Sequence, residues 1–307
     1  MKFAMMGSGG VGGYFGGRLA AAGHDVAFIA RGPHLDAIKS GGLHIESGLG
    51  DIRIHPATAS ADPASVGAVD YVVFAVKLWD TETAGAAISP LMGPETTVVS
   101  LQNGVECDDM LARFIGRERL IGGIAQIAAS IARPGVIHHL GTMQGIKIGE
   151  YGGASSARLS ALADALDGAG VDTEISGDVE RTIWEKFVFL VGLSATTTLM
   201  RTTIGPIRED AKKRAFLYDA IAEAVAVGRA RGVKLAADAA EERLAFADGL
   251  PFDMTSSMHH DLDRGNRLEL DWLSGAVVRF GSELSIPTPR NQAVCSALKS
   301  LAAGKAE

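Results

Sequence analysis

The stretch KFAMMGSGGVG, residues 2–12, decides the fold, because in it a short apolar run leads into a glycine cluster. Gly7, Gly9 and Gly12 have the spacing G-x-G-x-x-G, and an alanine-rich helical pattern follows them. In a strand–turn–helix unit the first glycine allows a sharp turn, the second lets the backbone approach a pyrophosphate, and the third lets the helix pack closely on the strand. The pattern predicts a dinucleotide-binding unit; the alternative is a tight turn that binds nothing.

A second apolar run, residues 25–30, follows at the distance expected for the next strand of such a unit, and Arg31 closes it. An acidic side chain at this position accepts a hydrogen bond from the ribose 2′-OH of NAD, whereas arginine suits the 2′-phosphate of NADP. We therefore expect NADP(H) as the cofactor, although a solvated surface arginine is the alternative. From these two motifs, the residues predicted to bind the cofactor are Gly7, Ser8, Gly9, Gly10, Val11, Gly12 and Arg31.

Composition narrows the class of protein. A chain of 307 residues with 47% apolar residues is long enough for two domains, and a net charge of −7 disfavours a nucleic-acid partner. Cys107 and Cys295 form neither a metal spacing nor a disulfide framework, so we expect a reducing, cytoplasmic setting. The sequence starts directly on a strand pattern, so we expect no secretion signal. His259 and His260 lack a third ligand at metal spacing, so no metal is expected. The longest apolar run, near residues 187–194, looks too short to span a bilayer.

The pattern along the chain changes near residue 177. Before it, strand and helix signals alternate, including the buried-strand runs 71–76 and 97–101, which are typical of a doubly wound parallel sheet. Segments 135–140 and 144–149 look like a hairpin turning around Gly141, which would make one end of the sheet antiparallel. After residue 177, helical periodicity dominates, with helices predicted over about 179–195, 209–231, 236–247 and 267–282. The predicted organisation is a Rossmann-type domain, 1–177, and an all-α domain, 178–307.

Two polar residues follow predicted strands of the first domain. Lys77 ends the run 71–76, and Asn103 follows the run 97–101. Ligands of open α/β sheets lie beyond the carboxyl ends of the strands, so both residues are candidates for the cofactor crevice. Lysine offers a positive charge, and asparagine both donates and accepts hydrogen bonds. The alternative is a solvated strand-end lysine and a simple turn.

Three residues of the second half could carry chemistry. Lys186 interrupts an apolar helical stretch, where partial burial would suit a general acid, although it also fits the wet face of an amphipathic helix. Glu269 lies among apolar neighbours in a predicted helix and could align the lysine; alternatively it is a surface carboxylate. Ser256 and Ser257 could cap a helix or bind a substrate carboxylate.

These residues together resemble the ketopantoate reductase (2-dehydropantoate 2-reductase) family along nearly the whole chain. The matching segments are, in order, residues 7–12, Arg31, 75–77, 101–104, 184–187, 256–258 and 269–275. The resemblance implies an N-terminal Rossmann domain, a helical C-terminal domain, and NADPH-dependent reduction of ketopantoate to pantoate in pantothenate biosynthesis. It also implies that Arg31 holds the 2′-phosphate and that Lys77 and Asn103 line the cofactor and substrate cleft.

The resemblance further implies roles in the second half. Lys186 is expected to donate the proton to the ketone oxygen, Glu269 to align the lysine beside the nicotinamide, and Ser257 to bind the substrate carboxylate. The family pattern places asparagines where this chain has Leu190, Ser194 and Met254. Ser194 can still donate one hydrogen bond to the substrate, whereas Leu190 and Met254 have no side-chain donor. We therefore expect either ketopantoate or a more apolar 2-keto acid.

Two other functions compete with this one. A 3-hydroxyacid dehydrogenase would share the two-domain plan but use NAD, which Arg31 disfavours. A nucleotide-binding sensor would keep the fold and lose turnover. A small-molecule substrate is the only partner that the sequence indicates, with no nucleic acid or membrane, and it leaves a homodimer open.

Overall fold

The computed structural model describes residues 1–305 and divides into two compact units, the first Met1–Thr182 and the second beginning at Ile183. The division falls in the first turn of a long helix, Val179–Met200. It therefore lies slightly beyond residue 177, where the strand signals of the sequence end.

Ten strands of the first unit form one mixed sheet. They are β1 (Lys2–Met6), β2 (Asp25–Ile29), β3 (Leu43–Ser47), β4 (Ile52–Ile54), β5 (Thr58–Ser60), β6 (Val69–Phe74), β7 (Met92–Ser100), β8 (Leu120–Arg133), β9 (Val136–Gly149) and β10 (Asp172–Ile175). Their order is β4-β3-β9-β8-β7-β6-β1-β2-β5, and β10 pairs with β9. Strand β1 has parallel neighbours on both sides, β6 and β2. The predicted doubly wound α/β class with an antiparallel part is confirmed.

Helices cover both faces of this sheet. They are α1 (Gly10–Ala21), α2 (Gly32–Gly41), α3 (Thr81–Ala86), α4 (Cys107–Ile115) and α5 (Ala157–Gly168). Strand β1 shows the consequence, because Phe3 and Met5 belong to one buried apolar cluster and Ala4 and Met6 to another. A strand buried on both faces has no polar alternation, which explains its continuous apolar sequence.

The predicted hairpin around Gly141 is wrong. Residues 136–149 form the single strand β9, and both of its parts pair antiparallel with β8 rather than with each other. The reversal lies before Val136, after Arg133 ends β8. Pairing with β8 jumps from His139 to Gln144, and the four residues between them are exposed. The glycine signal marks this interruption in the ladder and not a turn of the chain.

The described residues of the second unit form helices joined by loops and contain no strand. Its helices are α6 (Val179–Met200), α7 (Ile204–Glu209), α8 (Ala211–Ala230), α9 (Ala239–Asp248), α10 (Ser257–Arg264), α11 (Ser274–Leu284) and α12 (Pro289–Leu298). The predicted helix over 267–282 is wrong in its first part, because a 3₁₀ turn, Leu270–Trp272, precedes α11. The pattern also missed α12.

Helix α6 is longer than its apolar run suggests. Its 22 residues make it, by length and composition, the one candidate for a membrane span among the described residues. The apolar run 187–194 is short, as the sequence indicates, but the helix that contains it is long enough to span a bilayer. However, 61% of its most apolar window is buried inside the protein, as in the core helix of a soluble protein.

Candidate functional site

The glycine turn joins β1 to α1 by a very close approach of backbone to backbone. Gly7 has φ of +97°, and a Cβ built on it would lie 2.7 Å from the backbone nitrogen of Val76. A Cβ on Gly12 would lie 2.0 Å from the carbonyl oxygen of Gly7. No side chain fits at either position, so the sharp turn and the close helix packing both depend on glycine.

Gly9 differs from these two glycines. It is the residue before the first turn of α1, no side chain caps that turn, and the turn holds no acidic residue. A Cβ on Gly9 would meet nothing within 4 Å. Open space therefore lies beside Gly9 at the N-terminus of α1, where the helix dipole is positive, and this arrangement fits an anionic group such as a pyrophosphate.

Gly10 has a task that the sequence pattern did not reveal. A Cβ on Gly10 would lie 2.2 Å from the carbonyl oxygen of Ala129, which belongs to β8. Strand β8 thus passes directly beside the start of α1. The sequence shows this additional glycine in the cluster, but only the path of β8 explains why position 10 needs glycine.

Ser8 and His34 hold the turn in place. The Ser8 hydroxyl donates to the Ile29 carbonyl, 3.1 Å, and the Ser8 N–H donates to the same oxygen, 3.0 Å. The Ser8 carbonyl lies 2.9 Å from His34 Nε2, and Gly135 N–H donates to His34 Nδ1, 3.1 Å. Because Nδ1 accepts, Nε2 carries the proton, and burial lowers the pKa of this histidine. The sequence analysis did not find His34.

Arg31 lies at the start of α2, just after β2, and its side chain is 76% exposed. Its Nη2 is 2.6 Å from Oδ2 of Asp80. Asp80 belongs to a 3₁₀ turn, Leu78–Asp80, that follows β6. Since β2 and β6 flank β1, this ion pair joins the two segments on either side of the glycine turn.

Lys77 and Asn103 follow neighbouring strands but do not end them. Strand β6 ends at Phe74, so the exposed Lys77 lies in the loop beyond it, and the half-buried Asn103 lies beyond β7 in the same way. Gln102 connects these loops, donating from Nε2 to the Val76 carbonyl, 3.0 Å, and to the Thr81 hydroxyl, 2.8 Å. This buried amide fixes the two loops to each other, and the sequence analysis missed it.

In the second unit, Lys186, Leu190 and Ser194 are spaced four residues apart on α6 and therefore share one face of the helix. The first two are half-buried, and Ser194 is fully buried. The Ser194 hydroxyl has no hydrogen-bond partner among residues 1–305. A buried hydroxyl of this kind is costly unless water or a ligand bonds to it.

The two serines at the start of α10 have different tasks. Ser256 is buried and caps the helix, because its hydroxyl accepts from the His259 N–H at 3.1 Å. The same hydroxyl is 2.9 Å from the Thr197 hydroxyl of α6, which anchors the start of α10. Ser257 is the first residue of α10 and is exposed. The half-buried Met254 precedes them.

Glu269 lies outside any helix, contrary to the expectation. It precedes the 3₁₀ turn Leu270–Trp272, and its carbonyl accepts the N–H groups of Trp272 and Leu273 at 3.2 and 3.1 Å. Glu269 is buried, with only 5% of the residue exposed. The predicted site residues thus form two sets, one around the glycine turn of the first unit and one on α6, α10 and the Glu269 loop of the second.

A Rossmann-type sheet with a glycine turn before its first helix is typical of dinucleotide-binding proteins. Residues 3–153 match the family described as ketopantoate reductase PanE/ApbA, and residues 178–302 match its C-terminal part. The chain therefore belongs to the ketopantoate reductase family and is an oxidoreductase of the type that acts on CH–OH groups with a nicotinamide cofactor.

Individual relatives agree with this family. The chain is 32% identical to a 2-dehydropantoate 2-reductase of Mesorhizobium japonicum, with 98% of each chain covered. It is 31% identical to an uncharacterized oxidoreductase, YkpB, of Bacillus subtilis, over 99% of this chain and 100% of that one. A PanE/ApbA family ketopantoate reductase from Ralstonia eutropha has the same fold, with a TM-score of 0.90, 35% identity and 98% of each chain covered.

Alanine at Gly9 and at Gly10 should separate cofactor binding from folding. Gly9→Ala should change the free energy of unfolding by less than about 0.5 kcal/mol but weaken the cofactor at least about tenfold, because its methyl group fills only the open side of the turn. Gly10→Ala should also destabilise the fold, by about 1–3 kcal/mol, because its methyl group meets the Ala129 carbonyl. Urea unfolding and calorimetric titration measure both quantities.

The control for this pair is Gly168→Ala at the exposed end of α5, where a Cβ meets nothing within 4 Å. It should leave the cofactor affinity unchanged and raise the free energy of unfolding by at most about 1 kcal/mol, because alanine favours the helix. Undiminished cofactor affinity in Gly9→Ala would contradict the assignment of this turn.

His34 should make stability depend on pH. Its pKa in the folded protein lies below the unfolded value of 6.5, so its contribution is complete above pH 6.5 and declines as the pH falls from there towards the folded pKa. The stability difference between wild type and His34→Gln should therefore shrink from about pH 8 to about pH 5. Urea unfolding across this range measures it, and a constant difference would refute the assignment.

Proposed function

We propose that this protein reduces a 2-keto acid with NADPH, with 2-dehydropantoate or a more apolar relative as the substrate and Lys186 as the proton donor. The observation that carries the proposal is the uncapped first turn of α1 beside the open side of Gly9. The names of the relatives support the class of substrate.

The first unit provides the groups that would hold the cofactor. The N–H groups at the start of α1 suit the pyrophosphate, and the Arg31 guanidinium suits a 2′-phosphate. Gln102 joins the loops that carry Lys77 and Asn103. These two residues suit the substrate and the parts of the cofactor beyond its pyrophosphate. NADPH, when bound, supplies the hydride.

The second unit provides the proton and the substrate contacts. The Lys186 ammonium carries both a proton for the ketone oxygen and a positive charge that stabilises the negative charge developing there. Glu269 is proposed to align Lys186, which makes it a positioning residue. Burial of Glu269 suits that task, since a fixed carboxylate orients an ammonium better than a mobile one.

The remaining contacts fit a small carboxylate. Ser257 opens α10, and its hydroxyl with the helix N-terminus suits the substrate carboxylate. Ser194 offers a buried hydroxyl on the same face of α6 as Lys186. Leu190 lies between them on that face and offers only apolar surface, which favours an acid with a less polar side chain than ketopantoate.

The proposed setting is the cytoplasm, and the proposed partner is a small-molecule acid. Both cysteines, Cys107 and Cys295, are free thiols, which suits a reducing compartment.

Lys186→Ala should lower kcat by about a hundredfold or more while NADPH still binds, because the variant loses both the proton and the charge at the ketone oxygen. Lys234→Ala, at an exposed lysine of the same unit, is the matched control and should keep wild-type turnover. Steady-state kinetics and NADPH titration measure the two effects.

Wild-type turnover in Lys186→Ala would remove Lys186 from the mechanism. A wild-type protein that binds NADPH yet reduces no 2-keto acid would instead be a nucleotide sensor. Preferential oxidation of 3-hydroxyacids with NAD would identify the dehydrogenase alternative.

Leu190→Asn should shift substrate preference towards ketopantoate. Restoring an amide on the Lys186 face of α6 adds a hydrogen bond for the substrate hydroxyl or carboxylate, worth about 1–3 kcal/mol or about ten- to a hundredfold in relative kcat/KM. Kinetics on ketopantoate and its apolar analogues, for wild type and variant, measure the shift. Wild-type enzyme that already prefers ketopantoate by a wide margin would contradict the apolar pocket.

A further inference from the structure

We propose that Asp80 sets the cofactor preference of this protein. Its carboxylate competes with a 2′-phosphate for Arg31 and accepts a hydrogen bond from a ribose 2′-OH, so that the chain binds NADH as well as NADPH. The inference rests on the proposed function, because it concerns the adenosine end of the same nicotinamide cofactor.

The position of the pair identifies the part of the cofactor that it meets. In sheets of this type the ribose of the adenosine lies at the end of the second strand, and the residue that follows this strand selects for or against the 2′-phosphate. Arg31 is that residue here. Asp80 reaches it from the segment after β6, on the other side of β1, at 2.6 Å.

The two partners differ in how firmly they are held. Asp80 is only 23% exposed, and its N–H donates to the Lys77 carbonyl at 2.9 Å, so the 3₁₀ turn Leu78–Asp80 fixes its backbone. The Arg31 side chain is 76% exposed on a flexible stem. An arriving ligand can therefore move the guanidinium more easily than the carboxylate.

The charges then decide which cofactor benefits. A 2′-phosphate carries about −1.5 to −2 charges and would lie close to both Arg31 and Asp80, so attraction by one side chain is partly cancelled by repulsion from the other. A 2′-OH carries no charge and donates to a carboxylate, as in NAD enzymes. Arginine alone would favour NADPH strongly, whereas the pair Arg31–Asp80 accommodates both cofactors.

The test is a set of calorimetric titrations of the full chain with NADPH and with NADH, without substrate, at one ionic strength. Asp80→Asn keeps the shape of the side chain and removes its charge. The ratio Kd(NADH)/Kd(NADPH) should rise by about 5- to 20-fold in this variant, mostly through tighter NADPH. Glu82→Gln, which removes an exposed charge from the neighbouring helix α3, is the matched control and should change the ratio less than about twofold.

A second pair of probes locates the effect at the ribose. Asp80→Asn should tighten 2′,5′-ADP by the same factor as NADPH and slightly weaken 5′-ADP, whose 2′-OH then donates to a neutral amide oxygen instead of a carboxylate. Circular dichroism melts establish that the variants are folded.

The outcomes separate the two proposals. NADPH binding with an unmoved ratio in folded Asp80→Asn, or an equal shift in Glu82→Gln, overturns the role of Asp80 and leaves the proposed function intact. A folded wild-type protein that binds neither cofactor overturns both.

Discussion

The structure of the first unit depends on one close approach, that of α1 to the sheet. A side chain at Gly7 or Gly12 would collide with backbone, and those at Gly16 and Gly17 would collide with the core side chains of Met5 and Ile45. A helix this near the strand brings its N-terminal amides to the carboxyl end of β1, where the sheet order places the loops after β2 and β6 on either side. The constraint that packs the core therefore also forms the proposed anion site.

The sequence predicted those parts of the fold that local patterns determine. The glycine spacing, the apolar runs of β1 and β6 and the periodicity of α6 each reflect interactions within a few residues or a single helix. The misread segment, 135–149, failed for a tertiary reason. Gly141 is a turn signal only if the strand reverses there, and it does not, because both halves of β9 find their partner in β8. Pairing between distant segments overrode the local signal.

The candidate site divides in the same way. Gly7, Arg31, Lys77 and Lys186 became candidates because their residue type and their position in the sequence indicate a chemical role. The supporting residues were not recognisable, since their tasks depend on contacts with distant segments. His34 meets Gly135 and Gln102 meets Val76, across separations that no spacing rule covers. Ser256 and Ser257 are identical in type, and only the structure shows that Ser256 caps α10, which leaves Ser257 as the candidate for a ligand.

The most direct test of the central claim is a titration of isotope-labelled protein with NADPH, followed by the chemical shifts of the backbone amides. The account predicts that the largest changes fall on residues 8–12, because these N–H groups would meet the pyrophosphate at the start of α1. Saturable binding that leaves these amides unshifted, with the largest changes in another part of the chain, would contradict it.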